Sequence, residues 1–299
     1  MSKRETIIRY MLIMKKMRTS KEVTFEDIAD YLEKESRFLG EKLTVSKRTF
    51  ARDVNDIGSI FRMYIAYDFS GKYYFVEEEM EPEINDRILE TLDMYHMLKI
   101  HEQQSPYIHL EKRHSQGTEH LYGLLHAIKN RRQIMFSYQK YYKDHPETRT
   151  VEPLVLKEFK NRWYLFAKDT RDGQIKCYGL DRLLELEILN THFVADEHFD
   201  INEQLKYCFG IMAPNAAKPS EVILSFEPFQ GKYIKSLPLH DTQKIIKDTK
   251  DELRIRLTVY LTHDFIIELL AHGETVKVIK PPKLITTLKQ IYTHALEQY

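Results

Sequence analysis

The sequence has little cysteine, and the two it has are scattered. Cys177 and Cys208 are the only ones in 299 residues, and they form no Cys-x-x-Cys pattern. This argues against a disulfide framework and a cysteine zinc site, and it predicts a protein of the reducing cytoplasm. The chain also lacks an excess of either charge, with 45 basic and 45 acidic residues. Binding to nucleic acid would therefore have to come from local basic patches.

Long apolar runs and catalytic motifs are missing too. No stretch long enough to span a membrane is free of charge, and the N-terminus lacks a signal-peptide pattern. There is no glycine-rich phosphate loop, no Gly-x-Ser-x-Gly and no His-Glu-x-x-His, so we expect no enzyme and no catalytic residues. Four histidines share one segment but no helical face, so we expect no metal site and no cofactor: His109, His114, His120 and His126.

What the sequence does have begins with three helical patterns and a hairpin in residues 1–80. Apolar residues recur at helical spacing in residues 4–17, after Thr24 and after Ser46, which is a good N-cap. The stretch "MYIAYDFSGKYYFV" then gives two short strand patterns around a turn. Three helices followed by a hairpin predict a winged helix-turn-helix.

The third helix of this region is a candidate DNA-recognition helix. Arg48, Arg52 and Asn55 recur on the face opposite Phe50 and Ile57. A helix fits the major groove, where outward basic and amide groups reach phosphates and base edges. The alternatives are a solvated helix face and a hairpin whose tyrosines merely pair across it. The predicted DNA-binding residues are Ser46, Lys47, Arg48, Thr49, Arg52 and, in the hairpin, Lys72.

Patterns in the rest of the chain predict three further regions. Residues 81–130 read as a helical linker, with helices near 84–101 and 117–130. Residues 131–212 carry short strands with turn signals, which predict a small β-barrel. After the linker "APNAAKPS", residues 218–299 run strand, helix, two strands, helix, strand, the ferredoxin-like order. The fold class predicted is therefore multidomain α+β.

Aromatic and arginine residues in the predicted barrel form a candidate ligand site. Strand alternation puts Trp163 on one face and Arg162 and Tyr164 on the other. Guanidinium groups grip phosphate and rings stack on bases, so such a set suits a negatively charged ligand. The alternative, which spacing alone favours, is a core tryptophan with arginines paired to Asp169, Asp181 or Glu185. Neighbouring strands supply Tyr138, Arg149 and Arg182.

Several stretches together resemble one family. "RWYLFAKD" resembles the Trp-Tyr-Leu signature of the WYL domain, "RTVEPLVLKEFKNRWYL" its Arg-x-x-x-Pro segment, and "YGLDRLLELEIL" its aspartate–arginine strand. "VSKRTFARDVNDI" resembles the recognition helix of the winged module that precedes this domain. "LLAHGETVKVIKPPKL" resembles the C-terminal extension that follows it. One stretch departs from the family: "EKESRFLGEKL" predicts a longer connection between the second and third helices.

The resemblance implies a bacterial, homodimeric transcriptional regulator whose WYL domain is an Sm-like barrel that senses a ligand. In some members that ligand is a nucleic acid. By motif position it implies a ligand pocket of Tyr138, Arg149, Trp163, Tyr164 and Arg182. We therefore expect a cytoplasmic protein that binds a double-stranded operator and responds to a nucleotide or single-stranded nucleic-acid effector. The alternative is an RNA- or single-strand-binding accessory protein without a specific operator.

Overall fold

The computed structural model describes residues 3–101, 117–194, 200–212 and 217–299. The chain divides into two compact units, Met1–Glu111 and Lys112–Tyr299. The elements of the first unit are α1 (Lys3–Thr19), α2 (Phe25–Leu39), α3 (Lys47–Phe61), β1 (Met63–Asp68), β2 (Tyr73–Glu79) and α4 (Pro82–His101).

Side-chain caps set the beginnings of α2 and α3. The Thr24 hydroxyl accepts from the Asp27 N–H, and the Asp27 carboxylate accepts from the Thr24 N–H, which completes a capping box. Ser46 caps α3 by accepting from the Thr49 N–H at 3.2 Å. Most of the predicted connection after residue 32 is helical, because α2 continues to Leu39 and ends at Gly40 with a φ of 65°. The connection between α2 and α3 therefore comprises residues 40–46, and only the predicted extent of the connection was wrong.

The first three helices share one apolar core with the hairpin. Its fully buried members include Ile13, Met14, Ile28, Leu32, Phe50 and Ile57. The β1–β2 hairpin is antiparallel, and a bridge between Val23 and Tyr74 joins the segment before α2 to its second strand. Two backbone hydrogen bonds make this bridge, at 3.0 and 2.7 Å. The hairpin is thus tied to the helices by backbone as well as side chains.

A buried ion pair crosses this core between α1 and α3. Arg9 and Asp53 both have side chains that are 0% exposed. The guanidinium donates from Nε to one carboxylate oxygen at 2.6 Å and from Nη2 to the other at 2.9 Å. Such a two-point contact fixes the relative position of the two helices as well as neutralising both charges.

The second unit contains one more α-helix at its start, then two sheets. Its elements are α5 (Leu121–Lys129), β3 (Arg132–Tyr138), β4 (Glu147–Phe159), β5 (Arg162–Asp169), β6 (Ile175–Gly179), β7 (Leu183–His192), α6 (Ile201–Leu205), β8 (Ser220–Phe226), α7 (Pro228–Ser236), β9 (Lys244–Asp248), β10 (Leu253–Val259), α8 (His263–Ala271), β11 (Val276–Lys280) and α9 (Pro282–Leu296). Three-residue 3₁₀ turns lie at Thr118–His120, Leu180–Arg182 and Gly273–Thr275.

The first sheet has the strand order β6-β5-β4-β3-β7, and all its pairs are antiparallel. The pairs among described residues do not join β6 to β7, so the sheet is open and its closure into a barrel stays a prediction. Its core is covered by α5, through Leu124 and Ala127. The residues predicted as one helical linker are thus divided, because α4 contacts α1 in the first unit and α5 packs on this sheet.

The second sheet has the order β11-β8-β10-β9 and is also antiparallel. The chain passes through strand, helix, two strands, helix and strand in this region, and α9 follows. Alternate residues of β8 and β10, such as Leu224 and Ile255, are fully buried with Phe265. Phe209 joins this core to the first sheet, since its ring lies 5.8 Å from Phe159 and 5.4 Å from Phe265.

Candidate nucleic-acid interface and ligand site

The exposed face of α3 is basic and has few internal partners. Arg48, Arg52 and Asn55 are exposed, as the spacing predicts, while Phe50 and Ile57 on the other face are buried. Among the described residues, neither Arg48 nor Arg52 forms an ion pair. Both guanidinium groups therefore keep their five N–H donors for an external acceptor.

The other predicted residues of α3 have local roles. Ser46 is the N-cap, and Thr49 is half-buried beside it with its hydroxyl 3.1 Å from that of Ser46. Lys47 lies 3.1 Å from a Glu26 carboxylate oxygen, in a pair exposed enough to be weak. The first turn of α3 holds no acidic residue. The positive charges of Lys47 and Arg48 therefore add to the positive end of the helix dipole, where anions bind.

The tip of the β1–β2 hairpin carries the exposed side chains of Lys72 and Phe69. The Asp68 carboxylate holds the turn by accepting from the Ser70 and Gly71 N–H groups at 2.7 and 2.8 Å. Those bonds, that of Gly71 foremost, lower the pKa of Asp68. Phe69 is 84% exposed and was not foreseen from the sequence, although an aromatic in a turn is a signal. Its ring lies 5.1 Å from that of Tyr67.

Trp163 packs against the core of the first sheet. It is half-buried and packs with the cluster that contains Leu165 and Tyr178. Tyr164 points to the other face of β5 and is only 8% exposed. Both faces of β5 are covered at its centre, whereas Trp163, near the start of the strand, keeps part of its surface exposed. A ligand contact by Trp163 or Tyr164 stays a prediction.

Arg182 forms the centre of an aromatic cluster at the end of β6. Its guanidinium carbon lies 5.1 Å from the Tyr138 ring and 4.7 Å from the Tyr141 ring. The Tyr141 hydroxyl donates to Asp181 at 3.2 Å, and an Arg162 nitrogen lies 3.5 Å from the same carboxylate. Tyr141 is 73% exposed and was missed by the sequence patterns, because it lies in the β3–β4 loop. Two arginines and an accessible ring therefore meet around the Asp181 carboxylate.

Gly179 allows the side chains of Asp181 and Arg182 to pack directly against the backbone. A Cβ at that position would lie 2.5 Å from an Asp181 carboxylate oxygen and 2.8 Å from an Arg182 nitrogen. The Gly179 N–H donates to the Tyr138 hydroxyl at 3.1 Å. Burial raises the pKa of Tyr138 to about 12, so this hydroxyl stays protonated at neutral pH. The cluster is thus built on close backbone approach as well as on side chains.

Arg149 belongs to a different cluster from Arg182. It donates to Asp169 at 3.0 Å and also contacts Glu147. The rings of Tyr138 and Tyr178 lie between the two arginines, 5.1 Å apart, and the Tyr178 hydroxyl donates to Asp169 at 3.3 Å. The five residues grouped by motif position are therefore distributed over two clusters and a core. The Nε atoms of Arg149 and Arg182 are both buried without a hydrogen-bond partner among the described residues.

Asp169 is the buried anchor of the Arg149 cluster. Its side chain is 0% exposed and also accepts from Lys176 at 2.8 Å and from the Arg171 N–H at 3.0 Å. Burial opposes ionisation, but these donors outweigh it and hold the pKa of Asp169 at about 2. The carboxylate is therefore charged at neutral pH.

No group of three metal-binding side chains occurs within the described residues. His109 and His114 of the histidine segment lie outside those residues, while His120 and His126 lie in or beside α5. No helix in the described ranges is both long and apolar enough to cross a membrane.

Residues 119–188 match the family model of the WYL domain, and residues 218–296 match that of the WCX domain. The curated proteins contain no match to the chain. A solved structure of the proteasome accessory factor B/C (PafBC) of Arthrobacter aurescens is similar over 95% of this chain and 45% of its own, at 16% identity and a TM-score of 0.35.

A second similar structure is described as a CRISPR Cas-related protein. It covers 61% of this chain and 52% of its own, at 12% identity and a TM-score of 0.38. The chain thus spans about half the length of both solved proteins, and their low TM-scores carry no argument about its function. The two family matches confirm the WYL resemblance and its C-terminal extension. The chain contains a region similar to WYL domains, followed by a region similar to WCX domains.

Proposed function

We propose that the protein is a DNA-binding transcriptional regulator that responds to a negatively charged ligand. The observation that carries the proposal is the exposed face of α3, where Arg48 and Arg52 have no ion-pair partner among the described residues. A capped helix with free guanidinium groups suits the major groove, where arginine pairs with guanine or phosphate. The neighbouring hairpin, with Lys72 and Phe69 at its tip, would contact the backbone beside it.

The finer architecture belongs to the same proposal. The first unit acts as a winged helix-turn-helix, the WYL-like sheet as an Sm-like barrel, and the WCX-like region as a ferredoxin-like domain. The protein would work in the bacterial cytoplasm as a homodimer, so that two α3 helices meet two half-sites of one operator. Ligand would regulate it by binding one arrangement of the dimer more tightly than another.

Replacing Arg52 with alanine tests the DNA half of the proposal. Wild-type protein is first used to select its preferred sequence from a randomised duplex library. We expect Arg52→Ala to weaken binding to that duplex by about 1–3 kcal/mol, because a guanidinium contact to base or phosphate is lost. Fluorescence anisotropy at physiological salt measures the affinity.

The control is Arg37→Ala, which removes an exposed arginine, paired with Glu33, from α2. It should bind the selected duplex like the wild type. If Arg52→Ala and wild type bind equally well, α3 is not the recognition helix. If selection yields no preferred duplex while single strands bind tightly, the accessory-protein alternative replaces the regulator.

Replacing Arg182 with alanine tests the ligand half. We expect short labelled single-stranded DNA to lose about 1.5–3 kcal/mol of affinity, because its phosphate would lose a charged donor. The exposed Tyr141 ring beside Arg182 offers a stacking surface for a base. Arg256→Ala, on an exposed arginine of β10, controls for lost charge. Equal losses in both variants would show that binding is only electrostatic and that the Arg182 cluster is not the site.

A further inference from the structure

A cleft of about 430 Å³ lies in the second unit, away from the Arg182 cluster. Its walls come from the end of β4, from the segment 202–210 that begins within α6, and from the loop 238–241 after α7. Its volume falls within the range of small-molecule sites. Residues of both the WYL-like sheet and the WCX-like region line the cleft, so an occupant would contact both.

About half of the cleft lining is apolar, and one of its two lysines, Lys157, has no carboxylate partner among the described residues. Val155, Phe159 and Leu239 line it with hydrocarbon. Lys157 is half-buried, and its ammonium donates to the Cys208 carbonyl oxygen at 3.1 Å. The ion pairs among the described residues do not include Lys157. A half-buried ammonium with only a neutral acceptor gains from an anion placed beside it.

The remaining polar groups of the cleft favour a single negative charge. The His240 Nδ1 accepts from the Thr242 N–H at 3.2 Å, so in the neutral ring Nε2 carries the proton and can donate. Burial lowers the pKa of His240 against the opposing effect of the Asp241 carboxylate, and Lys157 lowers it further, which favours the neutral ring at pH 7. Lys206 lies 3.5 Å from Glu203, and Asp241 adds an exposed carboxylate at the rim. The second charge of a dianion would therefore have no free cation, since Lys157 is the one lysine of the cleft that is unpaired among the described residues and Asp241 is negative.

We propose that this cleft binds a small organic monocarboxylate with an apolar body. The carboxylate would contact the Lys157 ammonium and the His240 ring, and the body would lie against Val155, Phe159 and Leu239. This would be a second ligand site, independent of any nucleic acid bound at Arg182 or α3. Because the occupant touches both regions of the unit, it would also hold them together.

Fluorine NMR with a pair of matched probes tests the proposal. The probes are para-trifluoromethyl phenylacetate and its uncharged amide, each titrated against the full chain. We expect the acid to bind saturably and the amide to bind at least about tenfold more weakly, since only the acid pairs with Lys157. Lys157→Met keeps the hydrocarbon stem and removes the charge. It should bring the two probes to equal, weak affinity.

Two further variants separate the site from the fold. Lys168→Met, on an exposed lysine of β5, should leave the preference for the acid unchanged. Asn202→Trp adds bulk at an exposed wall position and should block both probes without altering the unfolding temperature. The proposal is overturned if acid and amide bind alike to wild type. It is equally overturned if neither probe binds, or if Lys157→Met keeps the preference.

Discussion

Replacing Asp53 with alanine should destabilise the first unit by about 3–5 kcal/mol. The substitution leaves the Arg9 guanidinium, which is 0% exposed, without the carboxylate that neutralises it. That loss is a large part of the 5–15 kcal/mol that typically stabilises a domain. Hydrogen-exchange mass spectrometry of the full chain measures it locally. Peptides from α1 and α3 should exchange faster, while those from β4 and β5 should not change.

The control for this prediction replaces both partners with apolar side chains. The double variant Arg9→Met with Asp53→Leu removes both charges together, so it should recover most of the protection that Asp53→Ala loses. If Asp53→Ala exchanges like the wild type, the pair contributes little. If the double variant is as unprotected as Asp53→Ala, the cost lies in packing rather than in an uncompensated charge.

Replacing Asp169 with alanine should destabilise the second unit by about 3 kcal/mol. The variant deprives the buried Arg149 of one of its two carboxylate acceptors. Because Glu147 still pairs with Arg149, we expect a loss of stability at the lower end of the range for broken buried ion pairs. Urea unfolding followed by the emission of Trp163, the only tryptophan, reports this unit alone. Asp172→Ala removes the exposed partner of Lys176 and should cost under about 1 kcal/mol.

The same carboxylate predicts an acid dependence. The pKa of Asp169 falls from an ordinary 3.8 to about 2 in the folded chain. A depressed pKa contributes stability that is present above pH 4 and lost as the pH falls toward 2, about 2 kcal/mol in all. Asp169→Asn should lack this component, so its stability should approach that of wild type across this window. A constant difference between the two would contradict the assigned pKa.

Local patterns were enough to predict much of the first unit. Ser46 and Thr24 are caps, and Phe50 and Ile57 are buried, because capping and helical periodicity are properties of adjacent residues. The pairing of Arg9 with Asp53 could not be predicted, since each charge merely interrupts an apolar pattern. Which two charges meet is decided by how the helices cross.

The candidate ligand site was harder to predict from residue spacing than the first unit. The alternation of residues predicted which face of β5 carries Trp163, but it could not predict which elements pack on that face. In the structure, both faces of β5 are covered at its centre. Arg149 lies on β4, whereas Arg182 lies in the 3₁₀ turn between β6 and β7, and two tyrosine rings lie between them. Tyr141 reaches Arg182 from the loop between β3 and β4. Such contacts depend on tertiary structure, which no short window of sequence contains.

The charge arrangement at the start of α3 links binding to local folding. Lys47 and Arg48 occupy the first turn, where the helix dipole is positive and where acidic residues normally stabilise a helix. Each cation there opposes helix formation by about 0.3–1 kcal/mol. A polyanion that neutralises them reverses this penalty, so the first turn gains order from the partner itself. If α3 binds DNA as proposed, the isolated protein gives up some helix stability for affinity, and we expect the first turn of α3 to fray first when DNA is absent.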